Sequence, residues 1–136
     1  MAYEFKIHDT SDSNPAHWTL LDALMGVLGK PVDPQWTYTP FSDHVVLGDG
    51  SVRGLGFPQA TWHWQFLRDT QREALRALCP GLSASVYIRT LTNETSSGVR
   101  TYGNFLCVMY WPPASEDKQA GNVLGFTLEF HHMVAV

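Results

Sequence analysis

The feature that most constrains this chain is a two-residue alternation of apolar and polar side chains that returns along most of its 136 residues. It is clearest at 60–66, where Trp62, Trp64 and Phe66 fall on one face and Thr61, His63 and Gln65 on the other, the mark of a half-buried strand. Tyr3, Phe5 and Ile7 alternate in the same way with Glu4, Lys6 and His8, until the run from Asp9 to Pro15 breaks the pattern. Three further strands are predicted at 83–91, 102–111 and 123–134, the last with Leu124, Phe126, Leu128, Phe130 and His132 on one face. Between the first two runs, Gly48-Asp49-Gly50 separates His44–Leu47 from Val52–Gly56 and reads as a glycine-rich hairpin. The 92–99 segment is polar and hairpin-sized, and 112–122 opens on Pro112-Pro113 and carries Glu116, Asp117 and Lys118.

Helical spacing interrupts the strands twice. Leu67, Gln71, Ala74, Leu75 and Leu78 predict a helix over 69–78, with Thr70 and Glu73 at capping-box spacing and Cys79-Pro80-Gly81 as its stop. Pro15 at a first turn, Trp18, Leu21, Met25 and Leu28 on one face and Gly29 beyond predict a second helix over 15–28. Leu20, Leu24 and Val27 make its other face apolar as well, so the helix is either fully buried or pressed against another subunit, and full burial is the harder option in a chain this short. Residues 29–42, punctuated by Pro31, Pro34 and Pro40, read as an extended arm. The sum is a single α+β domain over residues 1–136: two packed antiparallel sheets, sandwich or barrel-like, with one main flanking helix, a second N-terminal helix, and Trp62, Trp64, Phe66 and Leu75 in the core.

Several function classes are excluded at this level. A formal net charge of −4 offers no basic face for a phosphate backbone or an anionic membrane, so neither sequence-specific nucleic-acid binding nor membrane attachment is expected. No apolar run approaches the ~18 residues of a membrane span, and the opening residues lack the layout of a secretory signal, which points to the cytosol. Cys79 and Cys107 have neither disulfide nor metal spacing and read as reduced core residues. The histidines lack partners at ligand spacing, since His131 and His132 are neighbours on a strand and point to opposite faces. The glycines of 48–56 open onto a strand rather than a helix, which rules against a phosphate cradle. No nucleophile sits in a recognisable elbow, so no enzyme, cofactor or metal site is expected.

Charged residues make up 16% of the chain, against about 25% in ordinary domains, and a surface so poor in charge is expected to be covered by partners. The segments Val46-Leu-Gly-Asp-Gly50, Gly56-Phe-Pro58, Trp62-His-Trp64, Leu67 with Gln71 and Leu75, Trp111-Pro112-Pro113 and Leu124-Gly-Phe-Thr-Leu-Glu-Phe130 follow in an informative order. Over residues 43–134 that order resembles tailed-bacteriophage minor tail proteins, in particular tail-tip and distal-tail components with a tail-tube type of fold. The resemblance implies a structural virion protein, assembled in the host cytoplasm as a hexameric or trimeric ring at the tail tip or tube, with itself and neighbouring tail proteins as partners. The surfaces expected to carry assembly are the 15–28 helix, the 29–42 arm and the 92–99 and 112–120 loops, through Trp18, Leu21, Met25, Trp36, Tyr38, Asn93, Glu94, Pro113 and Glu116. The alternative is a monomeric carbohydrate- or peptide-binding domain using exposed aromatics such as Trp36, Tyr38, Tyr110 or Trp111.

Overall fold

The computed structural model describes residues 3–21, 34–112, 117–119 and 121–136. Ten strands run in the order β1 (Lys6–His8), β2 (Thr19–Leu20), β3 (Gln35–Thr39), β4 (Asp43–Val46), β5 (Val52–Leu55), β6 (Gln59–Arg68), β7 (Ser83–Glu94), β8 (Arg100–Tyr110), β9 (Asp117–Gln119) and β10 (Asn122–Ala135). One helix, α1 (Asp69–Leu78), lies between β6 and β7 and coincides with its predicted bounds. Eight strands form one antiparallel sheet ordered β2-β1-β7-β8-β10-β6-β3, with β9 also paired to β10. β4 and β5 pair only with each other, as the predicted hairpin.

Instead of two packed sheets, one large sheet curls over its own core and the second sheet is only the hairpin. The indole N–H of Trp62 on β6 donates to the Thr90 hydroxyl on β7 at 2.9 Å. β10 and β8 lie between those two strands in the sheet order. In a flat sheet three strand spacings would hold them about 14 Å apart. Trp62 is fully buried and meets Phe5 of the N-terminal segment edge-on at 5.5 Å, and Phe130 of β10 at 4.7 Å. Tyr38 of β3 stacks on Phe105 of β8 at 6.0 Å. Long twisted strands with irregularities in register bend in this manner, and β7 and β10 both carry such irregularities.

α1 closes one end of this core. The backbone N–H of Arg68 donates to Gln71 Oε1 at 3.0 Å, so the cap pairs Arg68 with Gln71 rather than Thr70 with Glu73. The helix starts directly at the end of β6, two residues earlier than a cap at Thr70 would place it. Leu75 is fully buried, and the Arg76 guanidinium lies 4.6 Å over the ring of Trp111. Cys79 and Cys107 are both buried, and burial raises each thiol above its ordinary range.

The second N-terminal helix is not shown. Pro15–His17 makes one 3-10 turn, capped by Asn14 Oδ1 accepting from the Ala16 N–H at 3.1 Å. Thr19 and Leu20 then extend as β2, where their backbone pairs with the otherwise open edge of β1, and residues 22–28 lie outside the described residues. The predicted arm also differs, because Gln35–Thr39 is an edge strand held along β6 and 29–33 lie outside the described residues. β7 and β8 run further than predicted, so the 92–99 loop shrinks to a turn at Thr95–Val99 closed by Gly98 at φ +90°.

β10 departs from strict alternation at both ends. Its buried residues are Val123, Phe126, Leu128, Phe130 and Met133, spaced by two only in the middle. Gly125 at φ +64° and His132 at φ +52° each sit in the left-handed region, and each shifts the alternation by one residue. Opposite Gly125, β6 buries Leu67 and turns Phe66 outward, so Phe66 is not the core residue its spacing predicts. Leu124 and Phe66 face each other across the pair on the solvent side.

Candidate assembly surface

The β4–β5 hairpin is a projection from the sheet. β3 and β6 pair antiparallel up to Thr39 and Gln59, so residues 40–58 occupy the place of an ordinary short turn between them. The chain leaves β3, makes the hairpin and re-enters β6. At the tip, the Leu47 N–H donates to Ser51 O at 2.7 Å and the Gly50 N–H to Leu47 O at 2.9 Å, with Gly50 at φ +87°. Asp49 accepts from the Ser51 hydroxyl at 2.6 Å and from its N–H at 2.9 Å, and these bonds hold its carboxyl below the usual carboxylate range. The tip is therefore anionic at neutral pH.

At the root, the Phe41 ring lies flat on Gly54, where any Cβ would overlap it. Gly56, at φ +81°, leaves room only for the Ser42 hydroxyl. Phe57 meets His132 edge-on at 5.3 Å, which seats the hairpin on the irregular end of β10. A cavity of about 210 Å³ beneath it is bounded by Ser42, Phe57, Gln59, Tyr110, His131 and His132. His131 Nε2 lies 3.6 Å from Glu129 Oε1, and the Tyr110 ring packs edge-on against His131 at 4.7 Å. Among the described residues, no three His, Cys, Asp or Glu side chains converge as metal ligands.

The hairpin's side chains give it its character. Phe41, Val45, Val46, Leu47, Val52, Leu55 and Phe57 are each 39% to 63% exposed. Taking ~150–200 Å² for each free side chain, that is roughly 600 Å² of apolar surface, the upper end of what monomers leave open. A two-stranded hairpin has no core of its own and is marginal in water unless it packs against something. Sequence reasoning found the hairpin but not this role. The signal was consecutive Val45-Val46-Leu47, which puts apolar side chains on both faces of one strand.

The residues expected to carry assembly are scattered. Trp18 is buried, stacked on Tyr87 at 5.1 Å with its indole N–H on Asp12 O at 3.0 Å, and Leu21 lies in the core; neither presents a surface. Trp36 and Tyr38 are half-buried and pack against the core from β3. Asn93 is exposed near the end of β7, while Glu94 accepts from the Tyr3 hydroxyl at 2.9 Å and Arg100 Nε at 3.0 Å. Met25, Pro113 and Glu116 lie outside the described residues. No protein-family model, curated protein or solved structure matches the chain.

Of the aromatics of the binding-module alternative, Trp36 and Tyr38 are half-buried and Tyr110 is 39% exposed. Trp111 is 6% exposed beneath the α1 arginines, and Tyr110 packs on His131. Of the five tryptophans, four are buried and Trp36 is half-buried, so no row of open indole faces is available to stack on a sugar.

Proposed function

We propose that this chain is a structural subunit of a phage or phage-derived tail, working by assembly into a ring at the tail tip or tube. The observation that carries the reading is the β4–β5 hairpin, whose apolar side chains stand open on both faces and whose strands, among the described residues, pair only with each other. Such an arm becomes stable when a neighbour covers it, and a ring subunit meets neighbours on more than one side. The chain's low charge also suits surfaces that end up between subunits.

The test is electron microscopy and mass photometry of the purified chain, alone and with the products of its flanking genes. Rings of several copies, or incorporation into a larger tail complex, are expected. A particle of 15.2 kDa at every concentration and in every mixture would remove the proposal's basis.

A further inference from the structure

The β6–β10 pair carries apolar surface at both of its ends. The hairpin leaves at the Gln59 end. Seven residues along β6, roughly 23 Å at ~3.3 Å per residue, lies Phe66. Phe66 is 55% exposed and its cross-strand partner Leu124 38% exposed, both turned out by the shift at Gly125. Beside Phe66 is a depression of about 440 Å³ whose walls include Arg68, Asp69, Thr70 and Gly121. Hairpin and patch are both exposed in the same molecule, so the hairpin does not cover the patch of its own chain.

We infer that the hairpin of one copy docks on the Phe66–Leu124 patch of the next, a head-to-tail contact between identical chains; this rests on the assembly reading above. Charge favours the match. The hairpin tip presents the Asp49 carboxylate, and at the patch the exposed charge is the Arg68 guanidinium, the neighbouring Asp69 being half-buried with its Oδ1 out of solvent. Apolar side chains of β4 and β5 replace water over Phe66 and Leu124, which the core cannot absorb because their strand positions point outward. The area fits a repeated contact better than an isolated dimer. The hairpin's roughly 600 Å² with the smaller patch falls short of the ~1,200 Å² at the low end of stable two-body interfaces. A contact between different surfaces repeats from copy to copy and closes into a ring when the rotation allows, so each copy is held twice.

Cysteine cross-linking tests this on the full chain, because Cys79 and Cys107 are buried and leave little background. Val46→Cys and Phe66→Cys chains are mixed in equal amounts and treated with a short bismaleimide. Ser97→Cys, exposed on the β7–β8 turn, serves as the control for random collision. The inference predicts mixed Val46–Phe66 dimers in several-fold excess over either homodimer. Asp49→Arg in the Val46→Cys chain should suppress them, and Arg68→Asp in its partner should restore them. If Val46→Cys homodimers dominate, hairpins meet each other, and the head-to-tail contact is wrong while assembly through the hairpin stands. Products at the statistical ratio and at the control's rate would overturn both.

Discussion

At the scale of single residues, Trp62 and Thr90 decide the fold's closure. The indole is fully buried against Phe5, Trp64 and Phe130, and its one N–H finds the Thr90 hydroxyl across the curled sheet. Thr90→Val keeps the shape and orphans that N–H, so urea unfolding should show a loss of about 1–3 kcal/mol. Trp62→Ala, which adds a large cavity to the same loss, should cost about 3–5 kcal/mol. A Thr90→Val chain as stable as the parent would mean that the hydrogen bond does not hold β6 to β7. The indole's burial was legible from the alternation Trp62, Trp64. Its partner was not, because Thr90 lies 28 residues away and nothing local marks a threonine as an acceptor. Phe66 misled for a related reason. Period-two reasoning holds only while the backbone stays extended, and one glycine at φ +64° on the neighbouring strand reverses the faces beyond it.

At the scale of elements, that glycine is a built device. Gly125→Val would force a β-branched residue into the left-handed region and is expected to destabilise the chain by about 1–2 kcal/mol in the same unfolding assay. A neutral result would show that β10 can straighten there without cost. The N-terminal segment is tied to the far end of the β7–β8 ribbon by Tyr3, Glu94 and Arg100, with the Arg100 guanidinium 3.8 Å over the Tyr3 ring. Donation to Glu94 raises the Tyr3 phenol above its ordinary 10.0. The folded chain thus holds this proton after the unfolded chain has released it. Stability from this tie is present in full below pH 10 and is lost as pH rises from there through the folded-state value. Tyr3→Phe should remove that segment of the alkaline unfolding profile and leave the profile near neutrality with the same slope as the parent. Most strands and α1 were legible because their periodicity is strong. The first part of the predicted 15–28 helix was not legible: Thr19 and Leu20 satisfy both a helical face and a strand edge, and the open edge of β1 decides between them, while 22–28 lie outside the described residues.

At the scale of the whole molecule, the chain divides into a curled sheet with its own core and a projection whose apolar side chains stand open. The shortage of charge was legible in the sequence, but not where the uncovered apolar surface lies, since that depends on which apolar residues the core has room for. The hairpin can be removed without breaking a strand pair of the large sheet, because Thr39 and Gln59 already face each other as the last pair of β3 and β6; what goes with it is the Phe57–His132 contact and the Met133 N–H bond to Pro58 O. Replacing residues 40–58 by Asn-Gly, the two-residue turn that such a pair accepts, leaves every strand of the large sheet in place. Sedimentation velocity of the excised and intact chains, over the same concentrations, measures the claim directly. Assembly through the hairpin predicts that the intact chain sediments as a multi-copy particle and that the excised chain is a folded monomer, its far-ultraviolet strand signal reduced only by the loss of β4 and β5. An excised chain that assembles as the intact one does would contradict it.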